Sequence, residues 1–397
     1  MAHRTGLGHG GGRRRALTAL VAAAVLAGGA LSAPAALAAD RGAVRAGDRG
    51  HPATQQALDA QVAAGLPGAL GQAVDRHGVW NGSAGVADLR TERPRLPQDR
   101  FRVGSITKTF VATVLLQLEE EKKLDLDDNV ETWLPGVVRG HGHDGRKITV
   151  RQLLNHTSGV FNYTQDPGFA EKVFGPGFPE HRYDSWTQEQ LVAVAMEHAP
   201  DFAPGTDWNY SNTNYVLAGL VIERVTGERY GKEIERRILR PLGLRATSLP
   251  GTDPRMPGPH GRAYSTFGAD PETEIHDVTE INPSVAGAAG EMVSTTGDLN
   301  RFYRALLRGQ VLPRRQLTAM LTTVETGQEG TERYGLGIAP QTTSCGVTVW
   351  GHGGGIHGSS SLATVTRSGD HAAAFNVNGD WAGDSRILLE AEYCGRT

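Results

Sequence analysis

Apolar and polar positions alternate in two runs near the start of the chain, "GALGQAVDRHG" and "VWNGSAGVADL", and the alternation breaks at His77-Gly78. A period of two with a glycine at the break predicts a β-hairpin. A helix is expected ahead of it, near Gln55 to Ala64, after a polar lead-in assigned to residues 40–54. Past the hairpin the period changes. "SITKTFVATVLLQLEEEKKL" sets Phe110, Val111, Val114, Leu115 and Leu118 at helical spacing, on a face apolar enough to lie between layers. From about Val130 to Arg308, short helical patterns such as "WTQEQLVAVAMEHA", "YVLAGLVIERVTG" and "GDLNRFYRALLRG" alternate with Gly and Pro clusters. After Tyr334 alternation returns in "YGLGIAP", "CGVTVWG", "SLATVTRSG" and "AAAFNVNGD", and a helix near Asp384 to Tyr393 closes the chain.

Strands at both ends with helices between them predict an α+β fold, an α/β sandwich in which both termini build one antiparallel sheet. About five or more strands are expected, flanked by helices. Residues 55–129 and 309–397 form the sheet domain in this reading, and 130–308 an inserted, mostly helical domain. A chain of 397 residues, 39% hydrophobic and 21% charged, is long enough for two such lobes.

Composition narrows the partners. A formal charge of -3 offers no basic excess to attract nucleic acid or an acidic membrane surface. Residues 1–39 read as an export signal: Arg13, Arg14 and Arg15, an apolar run from Ala16 to Leu31, and a small-residue cleavage site at Ala36-Leu37-Ala38. The mature chain is therefore expected to be secreted, extracellular and without a transmembrane anchor once the signal is cleaved. Its two cysteines, Cys345 and Cys394, suit an oxidising compartment, where a disulfide between them would tie the last helix to the sheet.

Three short motifs carry the chemistry. Ser105 and Lys108 stand three apart at the start of the apolar helix, so that an amine reaches a hydroxyl on one helix face. Serine is a poor nucleophile until a neighbour takes its proton, and a lysine in a dry pocket is shifted toward neutrality. Only six lysines occur in the chain, and this one heads no surface pattern. Tyr210 and Asn212 flank Ser211 just before a helical run; a phenol relays protons and an asparagine both donates and accepts. The third motif is "WGHGGGIHGSSS", from Trp350 to Ser361. A phosphate cradle would need a helix after the glycines, and strand patterns follow instead. A metal site would need a third and fourth ligand beside His352 and His357, and the only other dense histidine cluster is "HGHD", His141 to Asp144, on a glycine-rich loop; no metal and no cofactor is expected. His156 in "LNHTSG" reads as structural, and His357 as a solvent-facing strand residue.

Taken in order, Ser-x-x-Lys, Tyr-x-Asn and His-x-Gly resemble the serine penicillin-recognising hydrolases, the superfamily of class C β-lactamases and D-alanyl-D-alanine carboxypeptidases. "FRVGSITKTF", "KITVRQLLNHTSGV", "APGTDWNYSNTNYVLAGLVIERVTG", "RPLGLRATSLP" and "YGLGIAP" support the likeness, which is greatest to the exported actinobacterial carboxypeptidases. The resemblance implies a β-lactamase/transpeptidase-like fold with the active site between the sheet and the helical domain. It implies that Ser105 forms an acyl-enzyme, that Lys108 and Tyr210 share and pass on its proton, and that the amides of Ser105 and Gly355 make an oxyanion hole. Asn212 would orient the acyl side chain, and His352 and Gly354 would line the substrate edge.

The implied activity is that of a D-alanyl-D-alanine carboxypeptidase or D-peptidase, with peptide, ester or β-lactam substrates, peptidoglycan stem peptides among them. An esterase or class C-like β-lactamase is the alternative on the same fold, and a non-enzymatic β-lactam or muropeptide binder the alternative of another class. The pattern departs from carboxypeptidases at Gly353 and Gly355, where those members carry threonines that help bind a substrate carboxylate. The neighbouring "GIAP" has no arginine clamp either. The expectation is acyl transfer that does not require a free terminal carboxylate.

Overall fold

The computed structural model describes residues 50–268 and 274–395. The export segment read over 1–39, and the lead-in up to residue 49, lie outside the described residues. Helix α1 (Pro52–Ala63) begins before the predicted Gln55, so the lead-in assigned to 40–54 extends too far. Pro52 opens the helix because its missing N–H is one that the first turn leaves unused. His51 and Thr54 are already anchored there, each bonded to the buried Glu392 at 2.9 and 2.8 Å.

The predicted hairpin is β1 (Gly68–Asp75) and β2 (Gly78–Asp88), in register from Gly68 opposite Gly85 to Asp75 opposite Gly78. A two-residue strand β3 (Arg93–Pro94) adds to its edge. Helix α2 (Thr107–Glu120) follows, then α3 (Asn212–Thr226) and α4 (Thr296–Leu307). The C-terminal strands are β4 (Ala339–Thr342), β5 (Thr348–Ile356), β6 (Ser359–Thr366) and β7 (Ala372–Val377), and α5 (Ser385–Cys394) ends the fold.

All seven strands form one antiparallel sheet in the order β4-β5-β6-β7-β1-β2-β3. The two ends of the chain meet where β1 pairs with β7, Leu70 opposite Asn376. Burial alternates across this sheet as the pleat requires. On β7, Ala372 and Ala374 face the core that holds α2 and α4, while Ala373, Phe375 and Val377 face α1 and α5. Helix α4, placed with the helical segment by its position before residue 308, lies against β1, β6 and β7. A disulfide between Cys345 and Cys394 joins α5 to the turn before β5.

Two features of this architecture position the site. Helix α2 is buried on every side from Thr107 to Leu116, so Lys108 is carried into the interior with no exposed surface. The 3-10 turn Gly104–Ile106 lifts Ser105 out of that burial at the helix start, where first-turn amides have no partner within the helix. Among the described residues no helix is long and apolar enough to cross a membrane.

Candidate active site

Ser105 and Lys108, Tyr210 and Asn212, and His352, from three distant stretches of the chain, meet in one place. The Lys108 amine lies 2.9 Å from the Ser105 hydroxyl, 2.8 Å from Asn212 Oδ1 and 2.8 Å from the carbonyl of Ala289. Burial pushes its pKa well below the ordinary lysine value. A neutral amine has two N–H groups and one lone pair. Asn212 Oδ1 and the Ala289 carbonyl accept the two hydrogens, which turns the lone pair toward Ser105, as deprotonating the nucleophile requires.

Tyr210 completes the group. The Lys108 nitrogen is 4.8 Å from its ring centre. Burial raises the pKa of its phenol, and the nearby Ser105 side chain lowers it in part. A phenol held protonated beside the nucleophile is a proton donor for whatever leaves.

Asn212 was expected to hold the acyl side chain. Its oxygen is committed to Lys108 and its Nδ2 donates to Thr164 Oγ1 at 3.3 Å, so in this arrangement it positions the amine. Asn162 Oδ1 accepts from the Asn212 amide at 3.1 Å, pinning the start of α3. His156 anchors the same turn: its Nδ1 accepts from the Ser211 amide and from Asn214 Nδ2, and its ring lies 4.3 Å from that of Tyr210.

His352 is buried, and its two nitrogens have assignable roles. Nδ1 faces the carbonyl of Gly353, which can only accept, so that nitrogen carries the hydrogen. Nε2 therefore accepts from the Tyr334 hydroxyl at 2.7 Å. Burial holds His352 down to about 4, and the ring is neutral at physiological pH. Tyr334 was missed by sequence reasoning, since nothing in "YGLGIAP" marks its partner. Ala289 was missed for a plainer reason: it acts through a carbonyl that every residue has.

The glycine edge of β5 explains the opening motif. A Cβ on Gly354 would stand 1.9 Å from the Val103 carbonyl oxygen and 2.9 Å from the Ser105 amide nitrogen, so this position must be glycine for β5 to touch the nucleophile turn. From the other side, a Cβ on Gly104 (φ +52°) would meet the Gly355 nitrogen at 2.8 Å. The amides of Ser105 and Gly355 thus flank one backbone contact. Gly355 is exposed and a Cβ there meets nothing within 4 Å; one on Gly353 meets only Ser361 O, at 3.7 Å.

His357 corrects an expectation. It is buried, 6% exposed, with its ring 4.6 Å from Phe178 and 5.2 Å from Phe174, because the segment carrying these phenylalanines folds over the turn between β5 and β6. Its ring packs among phenylalanines, whereas that of His352 packs against Tyr210 and Tyr334.

A serine nucleophile, a buried amine, a phenol and a glycine-built strand edge in this fold define a serine hydrolase of the β-lactamase class. Residues 54–391 match the Beta-lactamase family, and the chain belongs to it. Among solved structures, the D-stereospecific amidohydrolase from Streptomyces sp. is 62% identical, with a TM-score of 0.83 over 87% of this chain and 99% of its own. The D-amino acid amidase from Ochrobactrum anthropi SV3, complexed with L-phenylalanine amide, is 28% identical, with a TM-score of 0.74 and the same coverage. Penicillin-binding protein 4* of Bacillus subtilis is 27% identical over 333 residues, 79% of this chain and 69% of that protein; the chain covers 60% of the related Putative penicillin-binding protein PbpX.

Proposed function

We propose that this chain hydrolyses amides and esters of D-amino acids or D-peptides through a Ser105 acyl-enzyme, with no requirement for a free carboxylate on the leaving side. The observation that carries the reading is the substrate edge of β5. Gly353 and Gly355 present no hydroxyl there, and His352 is neutral and engaged by Tyr334. A carboxylate at this edge would give up its hydration for no charged partner, a loss of roughly 1.5–3 kcal/mol for each charge-assisted hydrogen bond not made. An amide or ester incurs no such loss. The preference for a D-configured acyl group rests on the similarity to the Streptomyces amidohydrolase and the Ochrobactrum amidase.

In the proposed cycle Ser105 Oγ attacks the carbonyl carbon while its proton passes to the lone pair of Lys108. The oxyanion sits between the amides of Ser105 and Gly355. Tyr210 gives its proton to the departing nitrogen or oxygen and recovers it from Lys108. Water then repeats the sequence on the ester. Export over residues 1–39 accords with the Cys345–Cys394 bond, which persists in oxidising compartments.

The test compares D- and L-phenylalanine amide, and a D-Ala-D-Ala peptide against its C-terminal amide, for the full chain and Ser105→Ala. Turnover of the D-amide, at least equal use of the peptide amide and loss of both in the variant are expected. A marked preference for the free acid would return the chain to the carboxypeptidases.

A further inference from the structure

Beside the turn between β5 and β6 lies a small cavity walled by four arginines. Arg95, Arg100, Arg102 and Arg262 line it together with Gly358 and Ser359, around a volume of about 20 Å³. That is room for one water-sized particle. Arg262 is ion-paired with Asp88 at 3.3 Å and with Asp277. Arg100 donates to the carbonyls of Ala246 and Gly258.

The other two are different. Arg95 and Arg102 are 2% and 3% exposed, and among the described residues neither has a carboxylate within ion-pairing distance. Arg95 donates through Nη2 to Asn376 Oδ1 at 2.6 Å, and Arg102 through Nη2 to the carbonyls of Pro254 and Ile281 at 2.8 and 3.0 Å. Arg95 Nε, Arg102 Nε and Arg102 Nη1 are buried without a hydrogen-bond partner.

The carboxylates that act on these guanidiniums do so from beyond ion-pairing distance. Asp99 binds Arg93 and the Leu96 amide, Glu291 binds Tyr230 and the Gly251 amide, Asp253 binds Arg255, and Glu280 takes the Tyr183 hydroxyl. A guanidinium does not shed its proton to escape burial. Water could satisfy the free N–H groups, but an anion would also offset the desolvation that disfavours both buried guanidiniums and that the more distant carboxylates offset only in part.

We propose that this cavity binds a single small anion of the chloride class, held by the free N–H groups of Arg102 and Arg95. The anion would brace the oxyanion hole. Arg102 lies three residues before Ser105, its carbonyl accepts from Ser359 Oγ at 2.8 Å, and Ser359 follows the β5 edge by one turn.

Bromide is the probe, since it scatters anomalously and substitutes for chloride. In crystals of the full chain soaked at high bromide, an anomalous peak within hydrogen-bonding reach of Arg102 and Arg95 is expected. In solution, the melting temperature in chloride should exceed that in gluconate at equal ionic strength by a few degrees, as binding to the folded state alone requires. The gap should close in Arg102→Met. Ordered water in the cavity at high bromide, or superposable melting curves in chloride and gluconate, would overturn the proposal.

Discussion

Gly354→Ala puts a methyl carbon 1.9 Å from the Val103 carbonyl oxygen, and Cβ contacts below 3.0 Å essentially do not occur, so β5 and the nucleophile turn must part by at least 1.1 Å. Neither side yields cheaply. The contact is backbone to backbone, β5 is in register with β6 at Gly354 opposite Ser361, and the Val103 amide is bonded to the Met292 carbonyl at 2.9 Å. The amides of Ser105 and Gly355 lie on opposite sides of that gap, and a bond of about 2.9 Å stretched by this amount is no longer a hydrogen bond. Loss of one oxyanion donor costs about 3 kcal/mol, or roughly 10²–10³-fold in kcat. Gly355→Ala is the control, because a Cβ there meets nothing within 4 Å, and only a few-fold change is expected. Steady-state kinetics on a D-amino-acid amide, with melting curves to establish folding, measure both variants; kcat should fall much more than KM changes. Equal losses in the two variants, or a folded Gly354→Ala within about tenfold of the parent kcat, would refute the placement of the oxyanion hole at this contact.

Three further outcomes follow from the same geometry. Gly353→Thr combined with Gly355→Thr fills open space with hydroxyls, and should raise kcat/KM for a free-acid D-Ala-D-Ala peptide relative to its amide by about tenfold per hydrogen bond gained; an unchanged ratio would separate carboxylate binding from these positions. Lys108→Arg keeps a cation but removes a group that can become neutral, so kcat should drop roughly 10²–10⁴-fold, the contribution of a general base, and survival of activity would exclude Lys108 from that role. His352 and His357 are both held to about 4 from 6.5 by burial, so the unfolded chain takes up their protons first: stability is complete above pH 6.5 and falls as pH drops toward 4. Each accounts for about 3 kcal/mol of that loss. His357→Phe, which keeps the stacking, should flatten the profile by its share, and a melting temperature equally pH-dependent in the variant would contradict it.

How much of this was legible in advance depends on the range of the interaction. The hairpin, the apolar helix and the Ser105–Lys108 pair follow from spacings of two, three and four residues, which local geometry sets whatever the rest of the chain does. The seven strands of the sheet meet the expectation of about five or more, and the shortest, β3, has two residues, too few to show an alternation. His357 was misjudged because strand alternation says which face a side chain takes, and only the helices of another segment decide whether that face is covered.

The sequence by itself determined the strand-forming ends and the apolar helix, because each is a matter of residue type at short spacing, and it marked Ser105, Lys108 and Tyr210 through the order of three motifs that resembles the family. Tertiary structure alone decided what those groups can do. The carbonyl of Ala289, 181 residues from Lys108, takes one of its hydrogens; the Tyr334 hydroxyl occupies the acceptor nitrogen of His352; and Gly354 is required by a contact with Val103 across the molecule. The physical reason is that protonation state and hydrogen-bond direction are set by burial and by which partner arrives, and both exist only once distant segments pack.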